Sequence, residues 1–310
     1  MAEDYGTMEW PDERIDTPEF VKTIHKKIYS AIDPANPANP ALSMAGKTIL
    51  ITGGATGIGY AIARNFASAG ASTLILLARR ASTLDEASAS ISKEYPRTQV
   101  LTYPTDISIS NADSVTATLE AAAKASNTRG IDILVLSAVY TFTGGDVLQH
   151  ASADIHGSFN VNVLGNLHLV KTFLALPSTP THTKTIINVS SNAAYGDYPR
   201  SGVYGATKIA LVTMLRRIQR ERPDIKVYSF HPGLVETAAM KQFTEIDTEQ
   251  IKDYMDDVSL PGGFAVWLAS PAAEFLKGRY LQSKWDVEDL VANKDKFEKD
   301  PNLAVVYLKL

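Results

Sequence analysis

A short apolar run at positions 47–52 passes without a break into Gly53-Gly54-Ala55-Thr56-Gly57-Ile58-Gly59, and a stretch of helical periodicity follows over 58–69. Glycines at 53, 57 and 59 allow a tight turn, let backbone N–H groups approach a pyrophosphate, and let the helix pack closely on the strand. A strand before and a helix after are the context in which such a run reads as a dinucleotide cradle. No Gly-Lys-Ser/Thr closes the run, so the phosphate loop of nucleotide triphosphatases is excluded.

The pattern repeats along the chain. Apolar strands are expected at 73–78, 99–103, 132–137, 185–189 and 226–230, with helical stretches such as 83–94 between them. Strands that are apolar along their whole length and alternate with crossover helices predict a parallel sheet covered on both faces. The fold class is therefore α/β, a Rossmann-type doubly wound sheet in one domain, with its ligand beyond the carboxyl ends of the strands. A length of 310 residues divided by about 150 suggests two domains, yet one sheet unit accounts for 46–281. That leaves an arm at 1–45 and a tail at 282–310. Thr17-Pro18-Glu19 reads as a helix start, and Phe20, Ile24, Ile28 and Ile32 recur every four residues until Asp33-Pro34. Three prolines at 34, 37 and 40 then predict an extended connector. The apolar stripe of the arm requires a partner, either its own domain or a sister subunit. The segment 238–257 is long enough to fold over a pocket mouth or to form a plain surface excursion.

Composition narrows the function classes. Thirty Lys and Arg stand against 34 Asp and Glu, a formal charge of −4, without the basic excess of a nucleic-acid binder. With no Cys, disulfides, thiolate metal sites and thiol nucleophiles are excluded, which suits a reducing, cytoplasmic setting. Six scattered His residues form no metal-binding spacing, so no metal is expected. The acidic opening lacks the features of a secretory signal, and the richest apolar window, 163–176, is broken by Asn166, His168 and Lys171. No membrane span is expected.

The chemistry-bearing residues lie at strand ends and on one later helix. A free ribose 2′-hydroxyl usually meets a carboxylate about 20 residues past the glycines; Arg79 stands there instead. A guanidinium pairs with a 2′-phosphate through parallel charge-assisted bonds, so NADP is favoured over NAD, unless Arg79 and Arg80 are simply solvated. Tyr204 and Lys208 are four apart, on one helix face, where the cation is expected to lower the phenol pKa. Ser191, thirteen residues earlier at a strand end, offers a hydroxyl to a substrate carbonyl, and Asn162 is placed to complete a proton path from Lys208 to solvent. Singly, each also has an ordinary structural reading.

Together these residues resemble the short-chain dehydrogenase/reductase family, over about 46–281 and in the family's order. Its nucleotide motif corresponds to Thr52, Gly53, Gly57, Ile58 and Gly59. Its Tyr-x-x-x-Lys corresponds to Tyr204 and Lys208, its Ser to Ser191 and its Asn to Asn162. The resemblance implies that Asp106 meets the adenine, that Pro232 and Gly233 form the motif after the sixth strand, and that Val235 and Thr237 face the nicotinamide amide. The arm and the Trp285-Asp286-Val287 tail resemble a fungal subgroup. Of the family's Asn-Asn-Ala-Gly only Ala138 remains, within Leu136-Ser137-Ala138-Val139, which removes the Asn bracing of the sheet. The closing Gly-rich segment is also replaced, by 279–290.

The implied activity is ketone–secondary alcohol interconversion with NADP(H). Tyr204 is the general acid/base, Ser191 stabilises the oxygen, Lys208 tunes Tyr204 and holds the ribose, and Asn162 anchors a water relay. The family also implies a homo-oligomer, dimer or tetramer. Tyr140, Phe142, Tyr195, Tyr198, Met240 and Phe243 either pack their own loops or line a pocket for a mostly apolar, ring-containing small-molecule substrate such as a secondary metabolite. A fold member that binds NADP without net redox, as an isomerase, cyclisation catalyst or binding partner, is the alternative.

Overall fold

The computed structural model describes residues 17–128, 130–177, 183–196, 198, 200–244 and 248–306. Seven strands form one parallel sheet: β1 (Thr48–Thr52), β2 (Thr73–Ala78), β3 (Gln99–Pro104), β4 (Ile133–Leu136), β5 (Thr185–Val189), β6 (Lys226–His231) and β7 (Tyr280–Gln282). Their order is β3-β2-β1-β4-β5-β6-β7. The six expected strands stand within a residue or two of their predicted bounds. The short β7, beside β6, has too few residues to show a period and was not anticipated.

Successive strand residues point to opposite faces, and the core divides accordingly. Ile49, Ile51, Leu74, Leu76, Ile133 and Val135 join one buried layer with α1 (Gly57–Ser68), α2 (Ala81–Glu94) and α8 (Ser259–Ala269). Leu50, Ile75, Leu77, Leu134 and Leu136 join the other, against α3 (Ala112–Ala125), α5 (Asn166–Ala175) and α6 (Gly202–Glu221). Between α3 and α5 lies α4 (Ser152–Phe159), joined to α5 by a π-turn, Asn160–Gly165. The segment after β6 forms α7 (Ala238–Thr244) and a 3₁₀ helix (Thr248–Tyr254), and the chain ends with α9 (Val287–Ala292) and α10 (Lys294–Lys299).

The arm is not the expected helix. Residues 17–29 form no helix, and among the described residues of the arm helix appears only as 3₁₀ turns at Ser30–Ile32 and Pro40–Leu42. Ile24 forms an antiparallel bridge with Trp285. The His25 N–H donates to the Lys284 carbonyl (2.8 Å), the Asp286 N–H to the Thr23 carbonyl (3.1 Å), and the Lys22 and Thr23 N–H groups to Asp289 Oδ2. Backbone groups that a helix would have paired internally are taken by the tail, which also offers an apolar bed. Phe20 packs edge-on against Trp285 and Phe297, with ring centroids 5.9 and 5.2 Å apart.

The connector is likewise turned rather than extended. The Ala35 N–H donates to Asp33 Oδ1 and the Ala38 N–H to Asn36 Oδ1 before a 3₁₀ turn at Pro40–Leu42. The fourfold spacing was real, but tertiary hydrogen bonding overrode its helical reading.

Phe20→Ala opens a cavity between Trp285 and Phe297 and is expected to cost about 3 kcal/mol. This should appear as a lower urea midpoint at an unchanged m-value. A shift below about 1 kcal/mol would show that the arm adds no packing to the core.

Candidate active site

The sheet order reverses between β1 and β4, and a cavity of about 980 Å³ opens at their carboxyl ends. The turn leaving β1 favours glycine at three positions. Gly53 adopts φ +65° and Gly57 φ +54°, a region costly for residues with a Cβ. A Cβ on Gly59 would fall 2.3 Å from the Gly53 carbonyl oxygen. The strand end and the first turn of α1 are therefore in backbone contact. Thr56, Gly57, Ile58 and Gly59 line the cavity with the helix N-terminus, which no side chain caps.

Thr52 is fully buried behind this turn. Its Oγ1 accepts the N–H groups of Ser137 and Ala138, both at 3.0 Å. Through this hydroxyl the segment after β4 is tied to β1 despite the missing asparagines. Ala138 lines the cavity, as do Arg79 and Arg80 at the end of β2 and Asp106 after β3. Both arginines are exposed, and Asp106 holds its own turn by accepting the Ser108 N–H at 2.9 Å.

At the other end of the cavity, Ser191 follows β5 and caps a 3₁₀ turn, its Oγ accepting the Ala193 N–H at 3.2 Å. Tyr204, in the first turn of α6, hydrogen-bonds with Ser191. One turn on, Lys208 donates to the Val189 carbonyl at 3.0 Å, and its Nζ stands 5.5 Å from the centre of the Tyr204 ring. The three side chains meet as expected, but the electrostatics differ. The dense surroundings of the Tyr204 hydroxyl push it up to about 12, the bond with Ser191 offsetting part of the effect. Burial lowers Lys208 to about 8. Desolvation of both groups outweighs the expected lowering of the phenol by the cation.

Asn162 is held by two neighbouring elements. It lies buried in the π-turn, where its Oδ1 accepts the Tyr140 N–H (2.7 Å) and its Nδ2 donates to the Tyr140 carbonyl and to Thr207 Oγ1. Its side-chain amide is engaged there. It joins the segment after β4 to α6. The π-turn presses on the loop after β3 so closely that a Cβ on Gly165 would fall 2.1 Å from the Ile107 carbonyl oxygen.

Pro232, Gly233, Val235 and Thr237 line the cavity after β6, and Met240 and Tyr254 show that the 238–257 segment borders it. Tyr140 and Tyr198 also line it. Tyr195 and Phe142 do not: Tyr195 bonds to Asn192 and Gln282, and Phe142 packs edge-on against His150. The side chain of Phe243 lies outside the described residues.

Several polar lining groups gave no signal in the sequence, namely Arg200, His231, Asp256, Gln282 and Lys284. His231 directly precedes the Pro-Gly pair, the one nearby signal; Asp256 and Lys284 arrive from the later segments. Burial, aided by Lys284, pushes His231 down to about 3, and its Nδ1 accepts the Asn192 N–H at 3.3 Å. The cavity is thus more polar than the aromatic list implied. Among the described residues, no helix is long and apolar enough to cross a membrane, and no cluster of three His, Asp or Glu side chains suited to a metal ion occurs.

Comparison with known proteins agrees with this geometry. The family model for short chain dehydrogenase matches residues 47–248. The short chain dehydrogenase/reductase AacuD of Aspergillus aculeatus is 34% identical over 93% of this chain and 95% of its own length. A short chain dehydrogenase/reductase of Claviceps purpurea is 34% identical over 94% and 95%. Both alignments reach into the arm or tail, in keeping with the resemblance to fungal enzymes. Among solved structures, a short-chain dehydrogenase/reductase from Brucella melitensis superposes with a TM-score of 0.65 at 29% identity, over 77% of this chain and 96% of that one. With the nucleotide turn, the Ser-Tyr-Lys cluster and the doubly wound sheet in one arrangement, the chain belongs to the short-chain dehydrogenase family.

Proposed function

We propose that the protein is an NADP(H)-dependent oxidoreductase interconverting a ketone and a secondary alcohol on a ring-sized small molecule. The observation that carries this reading is the convergence of Ser191, Tyr204 and Lys208 in the same cavity as the glycine turn. The cradle fits a dinucleotide, because a Cβ at Gly59 would occupy the space into which the turn folds and the uncapped N-terminus of α1 presents N–H donors to a pyrophosphate. Gly53, Gly57, Ile58 and Gly59 would hold the phosphates, Asp106 the adenine, and Ala138, Pro232, Gly233, Val235 and Thr237 the nicotinamide end. Lys208 would hold the ribose, and Arg79 would pair with a 2′-phosphate.

When bound, the cofactor supplies or accepts the hydride. The protein manages the proton. In reduction, Tyr204 is held neutral by its surroundings and donates its hydroxyl proton to the substrate oxygen as charge develops there. The Ser191 hydroxyl donates a hydrogen bond to the same oxygen. The ammonium of Lys208, over the ring, offsets the phenolate charge that remains. Tyr140, Tyr198, Met240 and Tyr254 suit the faces of a ring system, and Arg200, Gln282 and Lys284 suit oxygen substituents on it.

Tyr204→Phe is expected to lower kcat at least about 1000-fold with ketone substrates, while the NADPH dissociation constant stays close to that of the parent. Substantial residual turnover would remove Tyr204 from its role. Steady NADPH consumption across a ketone panel supports the reductase, and tight binding without consumption favours the non-redox alternative.

The pH profile gives a second test. Because burial lowers Lys208 to about 8, its charged form dominates below that pH and is lost above it, while Tyr204 keeps its proton throughout. The kcat/KM for reduction should therefore fall as pH rises through about 8, and a level profile to about pH 10 would contradict this.

Arg79→Ala should raise the KM for NADPH by about tenfold or more, from loss of a charge-assisted pair. The KM for NADH should stay nearly constant. Equal effects on both cofactors would show that Arg79 does not read the 2′-phosphate.

A further inference from the structure

The residues after β6 roof the cleft over the glycine turn. Thr237 Cγ2 lies only 3.2 Å from where a Cβ on Gly57 would sit, so the two segments close on each other through the missing side chain. What holds this roof comes from farther along the chain. Asp256 Oδ2 accepts the Leu234 N–H at 2.8 Å, and the Asp256 N–H donates back to the Leu234 carbonyl at 2.8 Å. Gly233 adopts φ +92°, and a Cβ there would fall 2.4 Å from the same carboxylate oxygen. The carboxylate thus occupies the place of a side chain on the roof.

The Asp256 side chain is only 1% exposed, and Lys284 Nζ stands 3.6 Å from its Oδ1. The arm brackets this pair. His25 donates its N–H to the Lys284 carbonyl, the Asp257 N–H donates to the Lys26 carbonyl at 2.7 Å, and Lys26 Nζ donates to the Asp253 carbonyl.

We infer that Asp256 is a positioning residue for the NADP(H) cleft: by holding Gly233 and Leu234 it sets the height of the roof over the glycine turn, with Lys284 and the arm supporting it from outside. This rests on the reading of the cleft as an NADP(H) site. A buried charge-assisted bond of this kind fixes a loop end far more firmly than a solvated backbone contact. Removing the carboxylate alone would also strip Lys284 of a buried counter-charge, so the cleaner variant removes both charges.

The test is a fluorescence titration of the full-length protein with NADPH. Asp256→Ala combined with Lys284→Met should weaken binding about tenfold or more, and Asp256→Asn combined with the same Lys284→Met, which keeps an oxygen for the Leu234 N–H, should recover most of the loss. The KM for NADPH should follow the same order. If the folded Ala/Met variant binds within about twofold of the parent, or if the Asn/Met variant is as weak as the Ala/Met variant, the inference is overturned. A parent protein that binds no NADPH overturns the cofactor reading and this inference with it. If the Ala/Met variant does not fold, hydrogen exchange on the parent decides: a protected Leu234 amide without cofactor is expected, and rapid exchange there overturns the role of Asp256.

Discussion

The backbone of Gly59 rests against the carbonyl of Gly53 at a distance that leaves no room for a Cβ, and the geometry of the site depends on that approach. It sets α1 on the end of β1, aims the helix N-terminus into the cavity, and leaves Thr52 behind the turn. From there the Thr52 hydroxyl reaches the Ser137 and Ala138 N–H groups. Beyond the backbone ladder that pairs β1 with β4, the segment leaving β4 is tied back by this one side chain rather than by the family's asparagines, and Asn162 secures Tyr140, two residues past Ala138. The substitution at 136–139 therefore changes the means of bracing, and both neighbouring elements remain tied.

Burial governs the chemical end of the site. Tyr204 and Lys208 lie in surroundings that disfavour charge, so the phenol is raised and the ammonium lowered. These shifts act in opposite senses on the usual picture of a cation activating a phenol. They suit donation of a proton by a neutral Tyr204 next to a Lys208 still charged at neutral pH. They also make the lysine, rather than the tyrosine, the group whose titration falls within an accessible range.

Much of the sheet was legible because its signals are local. Strands such as 133–136 are continuous apolar runs, and glycines at 53, 57 and 59 report a backbone demand that residues with a Cβ meet only at a cost. The helix-face spacing of Tyr204 and Lys208 follows from the turn of α6, so their meeting was legible too. The arm was misread because Phe20, Ile24, Ile28 and Ile32 carry a spacing that a helix explains, whereas the competing hydrogen bonds come from residues more than 250 positions away. The polar lining of Asp256, Gln282 and Lys284 was invisible because the segment before α8 brings Asp256 back to Leu234 and the return of β7 beside β6 brings Gln282 and Lys284 to the cavity.

By itself, then, the sequence determined the doubly wound sheet, the dinucleotide turn and the identity of the Ser-Tyr-Lys cluster, since each follows from periodicity or from steric demand within a few residues. Only the tertiary structure decided the conformation of the arm, the protonation tendencies of Tyr204 and Lys208, the work done by Asn162 and the fastening of the cleft roof by Asp256. Those depend on desolvation and on hydrogen-bond partners supplied by distant segments, and neither is encoded in the spacing of neighbours along the chain.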